Sequence, residues 1–306
     1  VEVNEMRDDL VALFPGQGSL SGGAGHAWRD SSHWKLVDEI SEAAEIDVAQ
    51  LLLEASDEEV VRTDRAQIAT FALSMVGFAD LRDRGINPKY LLGHSLGEFS
   101  ALAASGLLSV SEASRLIGIR GRAMASAAQQ TDGSMIAVMG ADEGARENLD
   151  GLEGVWVANI NGTGQIVLSG TRTGLDYVLA NHKELGWKRA TPLPVGGAFH
   201  SPLMASAQAE LDAGLTSAKW GTTEHILFAN VDGKAHNKAS DWQSLLSRQM
   251  TSPVEFLAAT LALPDHVTTT IEMPPAGVLT GLTKRIRDFN NQIAPTSVKE
   301  MEEIQL

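Results

Sequence analysis

Apolar and polar positions along the chain fall into two kinds of run. Short apolar runs that end at glycine or proline read as buried strands, and longer runs with helical period follow them. "DDLVALFPGQGS" predicts a strand over Leu10 to Phe14 that enters a Pro/Gly loop. Helical patterns continue to about Arg84. "GINPKYLLGHS" gives a turn and a short strand, and "LGEFSALAASGLLS" a helix. Ser109 and Glu112 form a capping-box pattern that opens the helix "EASRLIGIRGRAMASAAQ".

The texture changes at "QTDGSMIAVMG". A strand (Ser134 to Met139) leads to a predicted helix (Asp142 to Leu149). "GVWVANI" and "GQIVLSG" follow, joined by the turn "NGTG", then a helix (Thr173 to Leu185) and the strand "WKRATPLPV". This β-α-β-β-α-β order is the ferredoxin-like signature. The expected fold is therefore α/β. A large α/β-hydrolase-like domain with a parallel sheet (residues 1–130 and 196–306) carries an inserted small ferredoxin-like subdomain (residues 131–195). "GGAFHSPLM", a helix, the strand "HILFANV", a further helix and "VTTTIEMPPAGVLTGLTKRI" complete the chain. The last dozen residues are polar and are expected to be loosely held.

Between the "YLL" strand and its helix stands Gly93-His94-Ser95-Leu96-Gly97, the Gly-x-Ser-x-Gly pattern of a nucleophile elbow. A turn this tight strains the serine backbone and leaves no room for side chains at the flanking glycines. The hydroxyl then stands at a helix N-terminus, where free N–H groups can face an oxyanion.

A serine nucleophile needs a base. Of eight histidines, most lie in polar stretches, and His94, beside the serine, reads as packing or polar support. His200 follows Gly196-Gly197 and precedes Ser201 and Pro202, an N-cap and N1 pair for the next helix. The positive end of that helix disfavours a protonated imidazole, and a general base must be neutral. The alternative is an ordinary loop histidine.

On a helical wheel Ala113, Leu116, Ile117, Ala123, Met124 and Ala127 all fall within about 60° of Arg120. Arg120 thus sits in the apolar stripe, with Arg115 and Arg122 on the outer side. A guanidinium there either pairs with an internal Asp or Glu or receives a substrate carboxylate through two parallel hydrogen bonds.

Composition narrows the partners. The formal net charge of −15 argues against phosphate-backbone binding. No cysteine is present, which excludes disulfides, thiolate metal sites and a cysteine nucleophile. "VEVNEMRDDL" lacks the pattern of a signal peptide, and "IATFALSMVGFADL" is too short and mixed to span a bilayer. A cytoplasmic protein, monomeric and without membrane or nucleic-acid partners, is the expectation. Apolar residues, at 43%, suffice for a sizeable core.

"FPGQGS", "GHSLGEFSAL", "IRGRAM", "NINGTGQIVLSG", "GGAFHSPLM", "TSPVEF" and "VLTGLTKRI" occur in the order found in malonyl-CoA:acyl carrier protein transacylases, so the chain resembles that family from about Leu10 to Arg287. The resemblance implies transfer of malonyl from malonyl-CoA to the carrier protein's phosphopantetheine thiol, by a ping-pong route through malonyl-serine, for fatty acid synthesis. It implies no cofactor and no metal. Acyltransferase domains of polyketide synthases share the fold and chemistry, so a different extender unit is an alternative; a serine hydrolase is a more distant one.

By that resemblance Ser95 is the nucleophile, His200 its base and Arg120 the malonyl carboxylate receptor. The main-chain N–H groups of Gln17 and Leu96 would form the oxyanion hole, and the main-chain carbonyl of Gln249 would orient His200. Asn161 would contact the pantetheine arm. Phe199 either crowds a branched methylmalonyl unit or is simply a core ring. Carrier proteins are typically acidic, so a local basic patch must attract one; Lys284, Arg285 and Arg287, or Lys188 and Arg189, are the candidates. The chain departs from the family at "MPPAG" (Met273 to Gly277), where Gly-Pro-Gly is usual, and two prolines stiffen the loop.

Overall fold

The computed structural model describes residues 5–18 and 20–306. Val1 to Asn4, the start of the segment read against a signal peptide, and Ser19 of "FPGQGS" lie outside the described residues. The strands among the described residues are β1 Arg7–Phe14, β2 Pro88–Gly93, β3 Gly133–Ala141, β4 Val155–Gly162, β5 Gln165–Thr171, β6 Trp187–Pro192, β7 Ile226–Phe228, β8 Ala235–His236, β9 Thr269–Glu272 and β10 Asn291–Ile293.

They form a mixed α/β fold with two sheets. The larger has the order β10-β9-β1-β2-β7-β8 and is parallel except where β7 meets β8. A parallel sheet is covered on both faces, and β1 shows it. Leu10, Ala12 and Phe14 enter one core, and Val11 and Leu13 enter another on the opposite face. The chain goes from β1 to β2 on one side of β1 and returns through β9 on the other. Ligands bind such sheets beyond the carboxyl ends of strands flanking a change of direction. The loop Pro15–Gly18 after β1 and the elbow after β2 both lie at that end, side by side, with Phe14 paired to Gly93.

The smaller sheet has the order β4-β5-β3-β6, antiparallel throughout, the ferredoxin-like arrangement. It has its own core, with Ile136, Val138, Leu168 and Trp187. Main-chain hydrogen bonds strap it to the larger body: Ile160 N–H donates to Val254 O at 2.9 Å, and Val254 N–H to Ala158 O at 2.8 Å.

Several expectations need correction. Asp142 to Leu149 is not an α-helix but turns followed by a 3-10 segment, Glu147–Leu149. Gly144 adopts φ 77°, a left-handed conformation that an α-helix cannot contain. The helix read as Thr173 to Leu185 spans Arg172–Asn181. The C-terminal dozen residues are not loosely held. Ser297 caps the helix Val298–Glu302, Met301 and Ile304 are buried, and Arg84 donates to Ile304 O at 2.7 Å. Met301 within that helix and Ile304 just past its end seat the segment on the core. Among the described residues no helix is long and apolar enough to cross a membrane.

Candidate active site

The chain turns from β2 into the helix Gly97–Ser105 through Ser95, whose φ is 54°. Both flanking glycines are forced by space. A Cβ on Gly93 would lie 2.1 Å from the Gly97 carbonyl, and one on Gly97 would lie 1.9 Å from the Phe14 oxygen. Asn230, just beyond β7, staples the turn. Its Oδ1 accepts from Ser95 N–H at 2.7 Å, and its Nδ2 donates to Gly93 O at 2.7 Å. Strain of this kind persists only where neighbours fix it.

His200 also has positive φ, 56°, and its Nε2 lies 2.7 Å from Ser95 Oγ. Nδ1 lies 2.9 Å from the main-chain carbonyl of Gln249, which can only accept. That assigns the proton to Nδ1 and leaves Nε2 free to take one from the serine. Gln249 is the last residue of the helix Ala239–Gln249, where terminal carbonyls lack helical partners. Burial, reinforced by the Arg120 charge, pushes the His200 pKa down to about 3. The imidazole is therefore neutral at physiological pH.

Arg120 is 1% exposed on the helix Val110–Gln130, with the apolar stripe buried around it. Nη2 donates to Ser95 Oγ at 3.1 Å and to Gln249 Oε1 at 2.9 Å, and Nη1 donates to Gln67 Oε1 at 2.5 Å. The guanidinium also lies over the Phe99 ring, 5.6 Å from its centre. All three hydrogen-bond acceptors are neutral, and Nε is buried without a partner. Burial lowers the Arg120 pKa to about 10, opposed by the charge of Glu98. A buried cation held only by neutral groups beside a hydroxyl can receive an anion.

Glu98 is buried beneath the serine. It accepts from Asn230 N–H at 2.6 Å and from Gln249 Nε2 at 2.5 Å. Burial raises its pKa to about 7, against those hydrogen bonds and Arg120.

A cavity of about 130 Å³ meets Ser95, His200, Gln17, Met124 and Phe199. It shares Gln17, His94 and Val167 with a larger cavity of about 400 Å³, which reaches Asn161 and Gln165. Both of those residues also line a groove of about 310 Å³ with Arg285. Phe199 is buried and faces the smallest cavity. Asn161 Oδ1 lies 2.9 Å from His94 Nε2, consistent with polar support from that ring. Leu96 has a buried side chain and precedes the first residue of the elbow helix, so its N–H belongs to the unsatisfied first turn.

Of the basic residues, Lys284 and Arg285 are exposed, and Arg285 Nη1 donates to Gln165 Oε1 at 2.9 Å across the groove. Lys188 and Arg189 are exposed on β6. Arg287 is half-buried, and its guanidinium donates to the carbonyls of Leu263, Pro264, Asp265 and Val267, so it also clamps a turn. In the "MPPAG" loop the Pro274–Pro275 peptide is cis, and Ser74 Oγ donates to Pro274 O at 2.7 Å. Among the described residues no group of three or more His, Cys, Asp or Glu could hold a metal ion.

Sequence reasoning missed Gln67, Asn230, Glu98 and the Gln249 side chain. Only Glu98 left a signal: a carboxylate in the otherwise uncharged helix "GEFSALAAS".

The acyl transferase domain family matches residues 11–303. The malonyl CoA-acyl carrier protein transacylase of Bacillus subtilis is 36% identical over 305 residues, covering 97% of this chain and 95% of that protein. The structure of MCAT from Mycobacterium tuberculosis superposes with a TM-score of 0.90 at 33% identity, over 96% of this chain and 98% of that one. A malonyl-transacylase solved in complex with a type II PKS acyl-carrier protein gives 0.89 at 29% identity, over 96% and 98%. With its elbow and histidine lining one cavity, a buried arginine 3.1 Å from the serine hydroxyl, and these likenesses along its length, the chain belongs to the acyl transferase family, among the malonyl-CoA:acyl carrier protein transacylases.

Proposed function

We propose that the protein transfers a malonyl group from malonyl-CoA to the phosphopantetheine thiol of an acyl carrier protein, with Ser95 holding the group in between. One observation carries this reading: a buried, charged guanidinium lies 3.1 Å from a serine hydroxyl that is itself 2.7 Å from a neutral histidine.

In the first half-reaction the malonyl carboxylate takes Arg120 and the thioester carbonyl approaches Ser95. Ser95 Oγ attacks while Nε2 of His200 accepts its proton. The oxyanion is met by the N–H groups of Gln17 and Leu96; losing one such donor typically costs about 3 kcal/mol of barrier. The C–S bond then breaks, coenzyme A departs with the proton from His200, and malonyl-Ser95 remains. In the second half-reaction His200 takes the carrier thiol's proton, sulfur attacks the ester carbonyl, the C–O bond to Ser95 breaks, and the proton returns to Ser95 Oγ. Every reacting group comes from the chain or its two substrates.

Arg120 does more than bind. Its charge is one cause of the low His200 pKa. A carboxylate on Arg120 offsets that charge, so the imidazolium formed during attack costs less with malonyl than with acetyl. The correct substrate thereby improves its own base.

The four-stranded sheet is read as an inserted subdomain, residues 131–195, between the two parts of the catalytic domain. It supplies Asn161, Gln165 and Val167 to the larger cavity. Lys284, Arg285, Lys188 and Arg189 are read as the carrier-protein patch. A second reading, service to a polyketide carrier, is favoured by the solved relative bound to a type II PKS carrier protein. Intact-mass measurement after brief exposure to malonyl-CoA tests the core of this. Wild type gains one malonyl group and Ser95→Ala gains none; fast release of free malonate with no adduct would favour hydrolysis instead.

A further inference from the structure

Glu98 takes no part in the steps above, yet its carboxylate is 1% exposed, directly beneath the nucleophile. Both oxygens accept N–H groups, one from the Asn230 main chain and one from Gln249 Nε2. Acceptance at both oxygens is the hydrogen-bonding pattern of an ionised carboxylate. We propose that Glu98 is a positioning residue that holds Arg120 for a carboxylate-bearing thioester, acting through the side-chain amide of Gln249; this rests on the malonyl-transfer reading.

The Gln249 amide has one sense that satisfies its neighbours. Nε2 donates to Glu98 Oε2 at 2.5 Å and to the Ser95 carbonyl at 2.9 Å, which leaves Oε1 facing Arg120 Nη2 at 2.9 Å. Reversed, the amide would set its donors against the guanidinium and its oxygen against two acceptors. Glu98 thus fixes which end of Gln249 meets Arg120. The same carboxylate opposes the effect of burial on that guanidinium.

Glu98→Gln keeps the shape and removes one acceptor. The Asn230 N–H belongs to the main chain and cannot turn away, so the mismatch falls on Gln249. Its amide turns, and Arg120 loses an acceptor beside the serine. Malonyl transfer needs Arg120 in place, and acetyl transfer does not.

The test is single-turnover acylation of the full chain by malonyl-CoA and by acetyl-CoA. At about pH 8, Glu98→Gln lowers the malonyl-over-acetyl rate ratio about tenfold, and Glu98→Asp, which keeps the charge, recovers part of it. In an Arg120→Ala background the Gln substitution shifts the ratio by less than about twofold. Equal loss with both thioesters, or an unchanged ratio, overturns the assignment, because a merely structural carboxylate gives that result.

If Glu98→Gln does not fold, wild type serves alone. The ratio falls between about pH 8 and pH 6, as a proton on Glu98 displaces the Gln249 donor. Arg120 and Asp232 are the charged groups acting on Glu98, and His200 stays neutral in that range. A ratio flat across it overturns the proposal. Wild type that never acquires malonyl defeats the transfer reading, and this inference with it. Wild type that acylates normally beside an unaltered Glu98→Gln ratio defeats the inference alone.

Discussion

Arg120 and His200 reach the same serine hydroxyl, and the guanidinium changes what the imidazole can do. The imidazole is kept neutral by burial and by the nearby guanidinium, and so can accept a proton. That depressed pKa also affects stability. The folded pKa of about 3 lies below the ordinary value of 6.5, so the unfolded chain binds a proton first as the pH falls. The stability carried by the neutral ring is complete above 6.5 and declines below it, toward about pH 3. Urea unfolding of wild type and His200→Gln should therefore show a gap that narrows by up to about 1.4 kcal/mol per pH unit below 6.5. A constant gap would mean an ordinary histidine. Ser95, His200 and Arg120 were legible because each breaks a local rule: a serine between obligatory glycines, a histidine at a helix start, a charge in an apolar stripe. Gln67 and Asn230 break none. A neutral amide is equally at home in a loop or under a core, so only the folded contacts reveal its role.

At the scale of elements, the elbow depends on strand and helix backbones passing closer than a methyl group allows. Gly97→Ala places Cβ against the Phe14 carbonyl, main chain that cannot yield. It should cost about 3 kcal/mol or more and abolish acylation. Gly196→Ala is the control. Its Cβ would meet nothing within 4 Å and its φ is not positive, so thermal stability should move by less than about 0.5 kcal/mol. Comparable loss in both would show that the crowding at Gly97 is relieved by local shifts. β1, β2, the β4–β5 turn and the helix around Arg120 were readable because each has one strong period or one strong punctuation. The crossover after β3 was misread because its apolar spacing imitates a helix. Ala145 and Leu149 do enter the small core, but from a turn beside Gly144 and from the 3-10 segment after it. β10 is three residues at a sheet edge, too short to carry a pattern. The C-terminal helix was missed because its one buried side chain, Met301, stands among charges.

The whole molecule carries a net charge of −15, so attraction for an acidic carrier protein has to be local. Lys284→Glu with Arg285→Glu should raise the carrier protein's KM several-fold, about tenfold at low salt, with the effect fading as salt is added. Unchanged carrier KM would reject that patch. Arg287→Glu should instead lower the melting temperature, since four carbonyls lose their donor. Parallel sheet, inserted antiparallel sheet and the order of motifs were visible in the chain. What was not visible is how the two sheets meet, because the hydrogen bonds between Ile160, Ala158 and Val254 are main-chain contacts with no side-chain signature. The pocket lies at that junction, and we propose that the buried cation 3.1 Å from its serine hydroxyl receives the substrate carboxylate. Single-turnover acylation by malonyl-CoA and by acetyl-CoA, compared in wild type and Arg120→Ala, tests this most directly. Malonyl acylation is predicted to fall about a hundredfold or more while acetyl acylation changes only a few-fold; equal loss with both thioesters would contradict the account.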